Sequence, residues 1–294
     1  MINFRYHVVS IIGIFIALAV GVVLGAGPLQ RSINAGMNPS SSQAASDPVL
    51  SAQAEAEAAG LKALASSTLT GSLTGTSVAL VVLPGASDDD VSAIRSTLTD
   101  AGASVVGRVT LTDNWQSTSM SQYRTTLATT LASHLESGAA KTASADGVVG
   151  YSIVQVLTST GAETDLLRQI LTDKSTPLMT IDEDPAGKAT TVVAVGARAQ
   201  AATSTQAAVA ASSDAWIGLG LAVGSTSGVV VGDASSREAM ISQIRTSGTA
   251  VTTVDSVGTT LASVDTALAL STASNGARAY GVGNGAQSVI PSIK

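Results

Sequence analysis

The chain of 294 residues has no cysteine, and only 3% of it is aromatic and 12% charged. The absence of cysteine excludes a disulfide framework, a thiolate zinc site and a thiol nucleophile. Histidine is scarce too: His7 and His134 are the only two. A Ser-His-Asp hydrolase beyond the first few residues would depend on His134 alone, and no Gly-x-Ser-x-Gly elbow occurs. No catalytic residue is expected, and the chain reads as non-enzymatic. A surplus of basic residues is also missing. The formal net charge of -6 argues against a nucleic-acid binder, which needs a basic face to meet phosphates.

What fills the chain instead is Ala, Gly, Ser, Thr and Val. A core of such residues must draw its stability from apolar area spread over many small side chains. The one long apolar run lies at the N-terminus. Residues 8–26 carry no charge, and Ser10 is their only polar residue. As a helix this run is roughly 28 Å long, about the hydrocarbon thickness of a bilayer. A cleaved signal peptide is the competing reading, with residues 25–27 imitating a small-x-small site. Pro28 would then follow the cut directly, which favours a retained anchor over residues 8–27. Arg5 lies before the span and Arg31 after it. The lean is to residues 1–7 in the cytoplasm and the bulk of the chain in the cell envelope.

Gly13, Ala17, Gly21 and Gly25 recur at a spacing of four within this run. Four-residue spacing puts small side chains on one helix face. In lipid, close backbone approach through such a groove drives helix association. The stripe therefore predicts a homo-oligomer, against the plainer reading that glycine is common in membrane helices.

Residues 28–75 are rich in Ala, Ser and Pro and read as a linker, partly helical over residues 52–64. Order is expected from residue 76 to residue 290. Residues 77–83, SVALVVL, form a continuous β-branched run that predicts a buried strand, broken by Pro84 and Gly85. A helix follows with Asp88, Asp89 and Asp90 in its first turn and Val91, Ile94, Leu98 and Ala101 on its apolar face. Residues 103–111 supply the next strand. Helices are expected over 123–135, 146–158, 163–173, 206–223, 236–246 and within 255–273. Strands are expected at 177–181, 191–195, 228–231 and 250–254. The fold class is α/β: a transmembrane helix, then an envelope-facing Rossmann-like domain with a mostly parallel sheet.

Two motifs invite chemistry and neither carries it far. Gly281, Gly283 and Gly285 imitate a phosphate-binding glycine loop, but the chain after them is too short for the helix and strand that a dinucleotide site requires. A tight C-terminal turn is the better reading. Asp182, Glu183 and Asp184 precede Pro185 and read as a solvated loop. No cofactor is expected, and a metal site is not defined by the sequence. Met37, Met120, Met179 and Met240 stand apart from one another. Met120 and His134, the nearest soft pair, would lie roughly 21 Å apart on one helix.

Three stretches resemble the actinobacterial MctB family of copper transport outer-membrane proteins. They are NFRYHVVSIIGIFIALAVGVVLG, SVALVVLPGASDDDVSAIRSTLTDAGASVVGRVTLT and VTTVDSVGTTLASVDTALALSTASNGARAYGVGNGAQSVIP. The motif positions are Pro84, Gly85, Thr253, Val254, Asp255, Tyr280, Gly281, Gly283 and Gly285, all read as structural. The resemblance implies a role in copper handling across a mycolic-acid envelope, with copper as the only implied ligand and the outer membrane as the implied location. As the alternative, it implies the role of the SteB-like members, which act with a SteA-like membrane partner in daughter-cell separation by influencing cell-wall hydrolysis. A coiled coil often follows the anchor in this family, whereas residues 32–75 here are Ala/Ser-rich.

Overall fold

The computed structural model describes residues 48–199, 210–273 and 276–292. The anchor, its stripe of Gly13, Ala17, Gly21 and Gly25, and Met37 lie outside the described residues. Among those that are described, no helix is long and apolar enough to cross a membrane. Residues 55–294 form one compact unit.

The elements in chain order are α1 (Pro48–Leu69), β1 (Ser77–Val82), α2 (Asp88–Asp100), β2 (Ser104–Leu111), α3 (Asp113–Gln116), α4 (Ser121–His134), α5 (Gly138–Lys141) and α6 (Ala145–Thr158). They continue with α7 (Ala162–Leu171), β3 (Met179–Glu183), β4 (Thr191–Val195), α8 (Ser213–Gly224), β5 (Val229–Val231), α9 (Met240–Thr246), β6 (Thr252–Val254), α10 (Thr260–Ser271) and β7 (Ala279–Tyr280). The seven strands form one sheet in the order β3-β2-β1-β4-β5-β6-β7. Every pair is parallel except β2–β3. The expected Rossmann-like α/β fold is present, with an antiparallel strand at one edge.

The sequence explains the layering. Strands β1 and β4 read SVALVV and TVVAV and are buried on both faces, as parallel strands covered by helices must be. One face packs Ala79, Val81, Val109, Val192 and Val230 against α4, α6, α7, α8 and α9. The opposite face packs Val78, Leu80, Val82, Val193 and Val254 against α2, α10 and the end of α1. Ala65, Leu69 and Leu73 belong to that second layer, so the packed core begins upstream of residue 76. Helix α1 runs beyond the expected 52–64, because Gly60 sits in open space and costs only propensity.

Two helices approach without side chains between them. A Cβ on Gly150 of α6 would lie 2.5 Å from the Gly218 carbonyl oxygen of α8. A Cβ on Gly218 would lie 2.4 Å from the Asp146 carbonyl oxygen. Glycine is required at both positions, and the backbones of α6 and α8 touch.

Some boundaries move. The strand expected at 177–181 begins at Met179 and runs through Asp182 and Glu183, which are therefore not loop residues. The two acids are held as strand by Arg108 and Arg95: Asp182 lies 3.3 Å from Arg108 and Glu183 2.6 Å from Arg95. Only Asp184 is in the loop, paired with Arg168 at 2.6 Å. Charge on this edge strand discourages edge-to-edge pairing. The helix expected at 236–246 starts at Met240 without a side-chain cap, because the Asp233 carboxylate accepts hydrogen bonds from the amide and hydroxyl of Ser235 and fixes a turn there instead.

Candidate functional site

In open α/β sheets, ligands gather at the carboxyl ends of strands where the strand order reverses. Here that point lies between β1 and β4. Pro84 and Gly85 end β1 in a turn closed by the Ala86 amide on the Leu83 carbonyl at 3.1 Å. Gly85 has φ +80°, and a Cβ there would lie 3.3 Å from the Ala197 Cβ. Ser87 then caps α2 through the Asp89 amide. The three acids of that first turn separate in role. Asp88 pairs with Arg108 at 2.6 Å. Asp89 faces a cleft. Asp90 is buried and takes Arg198 on both carboxylate oxygens, at 2.5 and 2.7 Å.

Arg198 follows β4, and its side chain packs against Gly258, where a Cβ would clash with its Nε, Cζ and Cδ. The Asp90 carboxylate raises the Arg198 pKa, first through the hydrogen bond and then through its charge. Beside it, the Met240 methyl covers Gly196 and Gly232 at the ends of β4 and β5; a Cβ at either would lie about 2.5 Å from it. The strand ends that would receive a ligand in a cofactor-binding relative of this fold are thus filled by the protein's own side chains.

The C-terminal motif folds into a second closed arrangement. Thr253 and Val254 lie in β6 and Tyr280 in β7, while Asp255 follows β6 and Gly281 follows β7. Asp255 is almost fully buried, and one of its oxygens accepts the Val282 amide at 2.8 Å, the other the Gly283 amide at 2.9 Å. Successive amides in such a turn form a nest for an anion. In this protein the anion is Asp255 itself, so the glycine loop is occupied internally. Gly281 has φ +121°, and a Cβ there would fall 2.1–2.5 Å from the Asp255 carboxylate. The remaining partners are the Ser256 hydroxyl at 2.7 Å and the Arg245 guanidinium at 2.9 Å. Burial pushes the Asp255 pKa up, but these hydrogen bonds outweigh it and hold the carboxyl below its ordinary range.

Arg245 is the residue that sequence reasoning missed. It is buried, and it also donates to the Thr253 hydroxyl at 2.9 Å and to the Tyr280 and Asn284 carbonyls at 2.8 Å each. Burial lowers its pKa, and Asp255 offsets part of that effect. A signal was present: an aspartate ending the apolar run AVTTVD needs a buried cation, and Arg245 is the only cation of α9.

A cleft of about 320 Å³ opens between α1, α2 and the start of α10. Ala65, Leu69, Ile94 and Val264 form its apolar lining, and Lys62, Asp89, Asp100 and Arg198 bring charge. The soft-ligand candidates are dispersed. Met120 precedes α4 and His134 ends it, so the unbroken helix separates them. His134 Nδ1 meets Glu163 at 2.5 Å. Met179 is buried in β3. Among the described residues, no three His, Asp or Glu side chains gather closely enough to hold a metal ion.

Fold and site together define a class: a Rossmann-like domain whose ligand-receiving strand ends are closed by its own Met240, Arg198 and Asp90. A family model described as copper transport outer membrane protein, MctB, matches residues 1–291. The chain belongs to that family. No curated protein matches it.

Proposed function

We propose that the protein is a single-pass, non-enzymatic envelope protein that takes part in copper transport by assembly with other copies or partners, and not through a tight copper site in its own α/β domain. The observation that carries this reading is the family match over residues 1–291. The dispersal of Met120, His134, Met179 and Met240 supports the second half, because a tight Cu(I) site needs two or three soft ligands within bonding reach. Copper here is cargo. Residues 8–27 anchor the chain with its N-terminus in the cytoplasm, and Gly13, Ala17, Gly21 and Gly25 mediate homo-oligomer formation.

The test is a titration of the detergent-solubilised protein with Cu(I) against a competing chelator. No stoichiometric binding in the sub-micromolar range is expected. Binding of that strength, lost on His134→Ala, would overturn the reading. The pair Gly21→Ile and Gly25→Ile should lower dimer yield in membrane cross-linking.

A second reading, a SteB-like interaction protein that influences cell-wall hydrolysis through a SteA-like membrane partner, is favoured by the open, mixed-charge cleft beside the closed strand ends. Pull-down from solubilised envelope with metal analysis of the same sample separates the two: copper in the assembly favours transport, and a copper-free complex with a hydrolase regulator favours the second.

A further inference from the structure

Helix α2 meets the cleft with a regular stripe. Asp89, Ala93, Ser96 and Asp100 recur at i, i+4, i+7 and i+11, so they share one helix face. All four are exposed, and all four line the cleft. The two ends of the stripe are acidic and stand roughly 16 Å apart along the helix, while its middle is small. Beside the stripe, Ile94 joins Leu69 of α1 and Val264 of α10 in the apolar lining.

The acids of this stripe are the ones that the fold leaves over. On the same helix, Asp88 is paired with Arg108, Asp90 with Arg198 and Arg95 with Glu183. Asp89 and Asp100 make no ion pair among the described residues. Asp89 acts on Arg198 through its charge, but the two oxygens of Asp90 hold that guanidinium. Lys62 of α1 is the other cation of the lining. Asp100 stands in the last turn of α2, where the helix dipole is already negative and no basic residue offsets it. The cleft therefore carries a negative surplus, and a cation beside Asp100 would gain from both the carboxylate and the dipole.

We propose that the cleft is a docking groove for an amphipathic helix of a partner protein, one that carries basic residues at i and i+11 and large apolar residues at i+4 and i+7. This pattern complements the stripe. The bases meet Asp89 and Asp100, and the bulky side chains enter over Ala93 and Ser96, where short side chains leave room. It reads the same in both chain directions, so either orientation of the helix satisfies it. The walls of the cleft are themselves helices, and a stripe of this period interlocks with another helix. The occupant is not a second copy of this chain, because no two of its Lys and Arg residues stand eleven apart. The proposal deepens the interaction reading given above and rests on it for the existence of a partner.

Selection of a random library of about 18-residue peptides, five helical turns, by mRNA display on the full-length protein in detergent tests the groove directly. Enriched peptides should carry Lys or Arg at i and i+11 and Leu, Ile, Met or Phe at i+4 and i+7. A selected peptide, fluorescently labelled, should bind Ala93→Trp about tenfold more weakly or worse, because the indole fills the groove. Asp89→Asn with Asp100→Asn should weaken binding about tenfold at low salt and flatten its salt dependence. No enrichment, enrichment without the basic pair, or unchanged binding to Ala93→Trp would overturn the proposal. Should a variant fail to fold, the wild type decides: affinity that falls with added salt supports the acidic rim, and salt-independent affinity refutes it. Pull-down of envelope partners on wild type and Ala93→Trp separates this proposal from the reading beneath it. A partner lost only from Ala93→Trp supports the groove. A partner kept by both overturns the groove and leaves the interaction reading standing. A wild type that captures none counts against the interaction reading, while the peptide selection still decides the groove.

Discussion

Removing Asp255 should cost more than any single contact at the hub suggests. Asp255→Ala deletes acceptors for two amides, one hydroxyl and Arg245, and leaves that guanidinium buried without a counter-ion. Breaking a buried ion pair from one side costs about 3–5 kcal/mol. The two amides lie in an exposed turn and regain water, so they add little. We expect a loss of about 4 kcal/mol against a total stability on the order of 5–15 kcal/mol. Arg245→Met should lose about as much, because it leaves Asp255 unpaired. In the double variant Asp255→Ala with Arg245→Met no charge is stranded, and the loss should fall well short of the sum, with a coupling of about 2 kcal/mol or more. Urea unfolding of the detergent-solubilised protein, followed by the fluorescence of Trp115 and Trp216, measures all three. Both tryptophans pack in the core layer on one face of the sheet, whereas Val254 and Tyr280 beside Asp255 pack on the other, so their fluorescence follows unfolding of the domain. Additivity within about 0.5 kcal/mol would show that the two residues do not act as a unit and refute the reasoning.

Gly281→Ala places a methyl into the Asp255 carboxylate in a backbone region closed to alanine; a loss of about 2 kcal/mol or more is expected in the same assay, and a neutral outcome would mean the turn lies elsewhere. Gly218→Ala should separate α6 from α8 and lower the melting temperature by several degrees, whereas Gly60→Ala, in open space on α1, should be neutral or slightly stabilising. Asp265→Asn should match wild type near pH 4 and exceed it by up to about 4 kcal/mol at pH 7 and above, since the raised pKa makes wild-type stability fall as pH rises from about 4 to about 7. The lowered pKa values of Asp255, Glu183 and Asp184 act oppositely, adding stability that disappears as pH falls through the carboxylate range, so the wild-type optimum should lie on the acid side of neutrality; an optimum above pH 7 would contradict this balance.

The fold was legible wherever a residue's own chemistry decides its conformation. SVALVV and TVVAV are strands in any context that buries both faces, and Val91, Ile94 and Leu98 mark a buried helix face by spacing alone. Pro84 with Gly85 announces its turn. The structural reading of Gly281, Gly283 and Gly285 could be made from the short tail that follows them. What stayed hidden depends on pairing across the fold. Asp182 and Glu183 look like loop residues until Arg108 and Arg95 hold them in β3. Arg245, Arg198 and Met240 are an ordinary arginine, another, and an isolated methionine in the sequence. Their roles appear only when the sheet order brings the ends of β4, β5 and β6 together. Asp265 sits in an otherwise apolar helix, and its lack of partners is a property of its neighbours.

The backbone contact between α6 and α8 has a mechanical consequence. Packed helices usually accommodate strain by sliding on the layer of side chains between them. Gly150 and Gly218 remove that layer, so a force applied to one helix is passed to the other without slip. On the opposite face of the sheet, α1, α2 and α10 leave an open cleft between them. The domain is therefore stiff on the face of α6 and α8 and compliant on the face of the cleft.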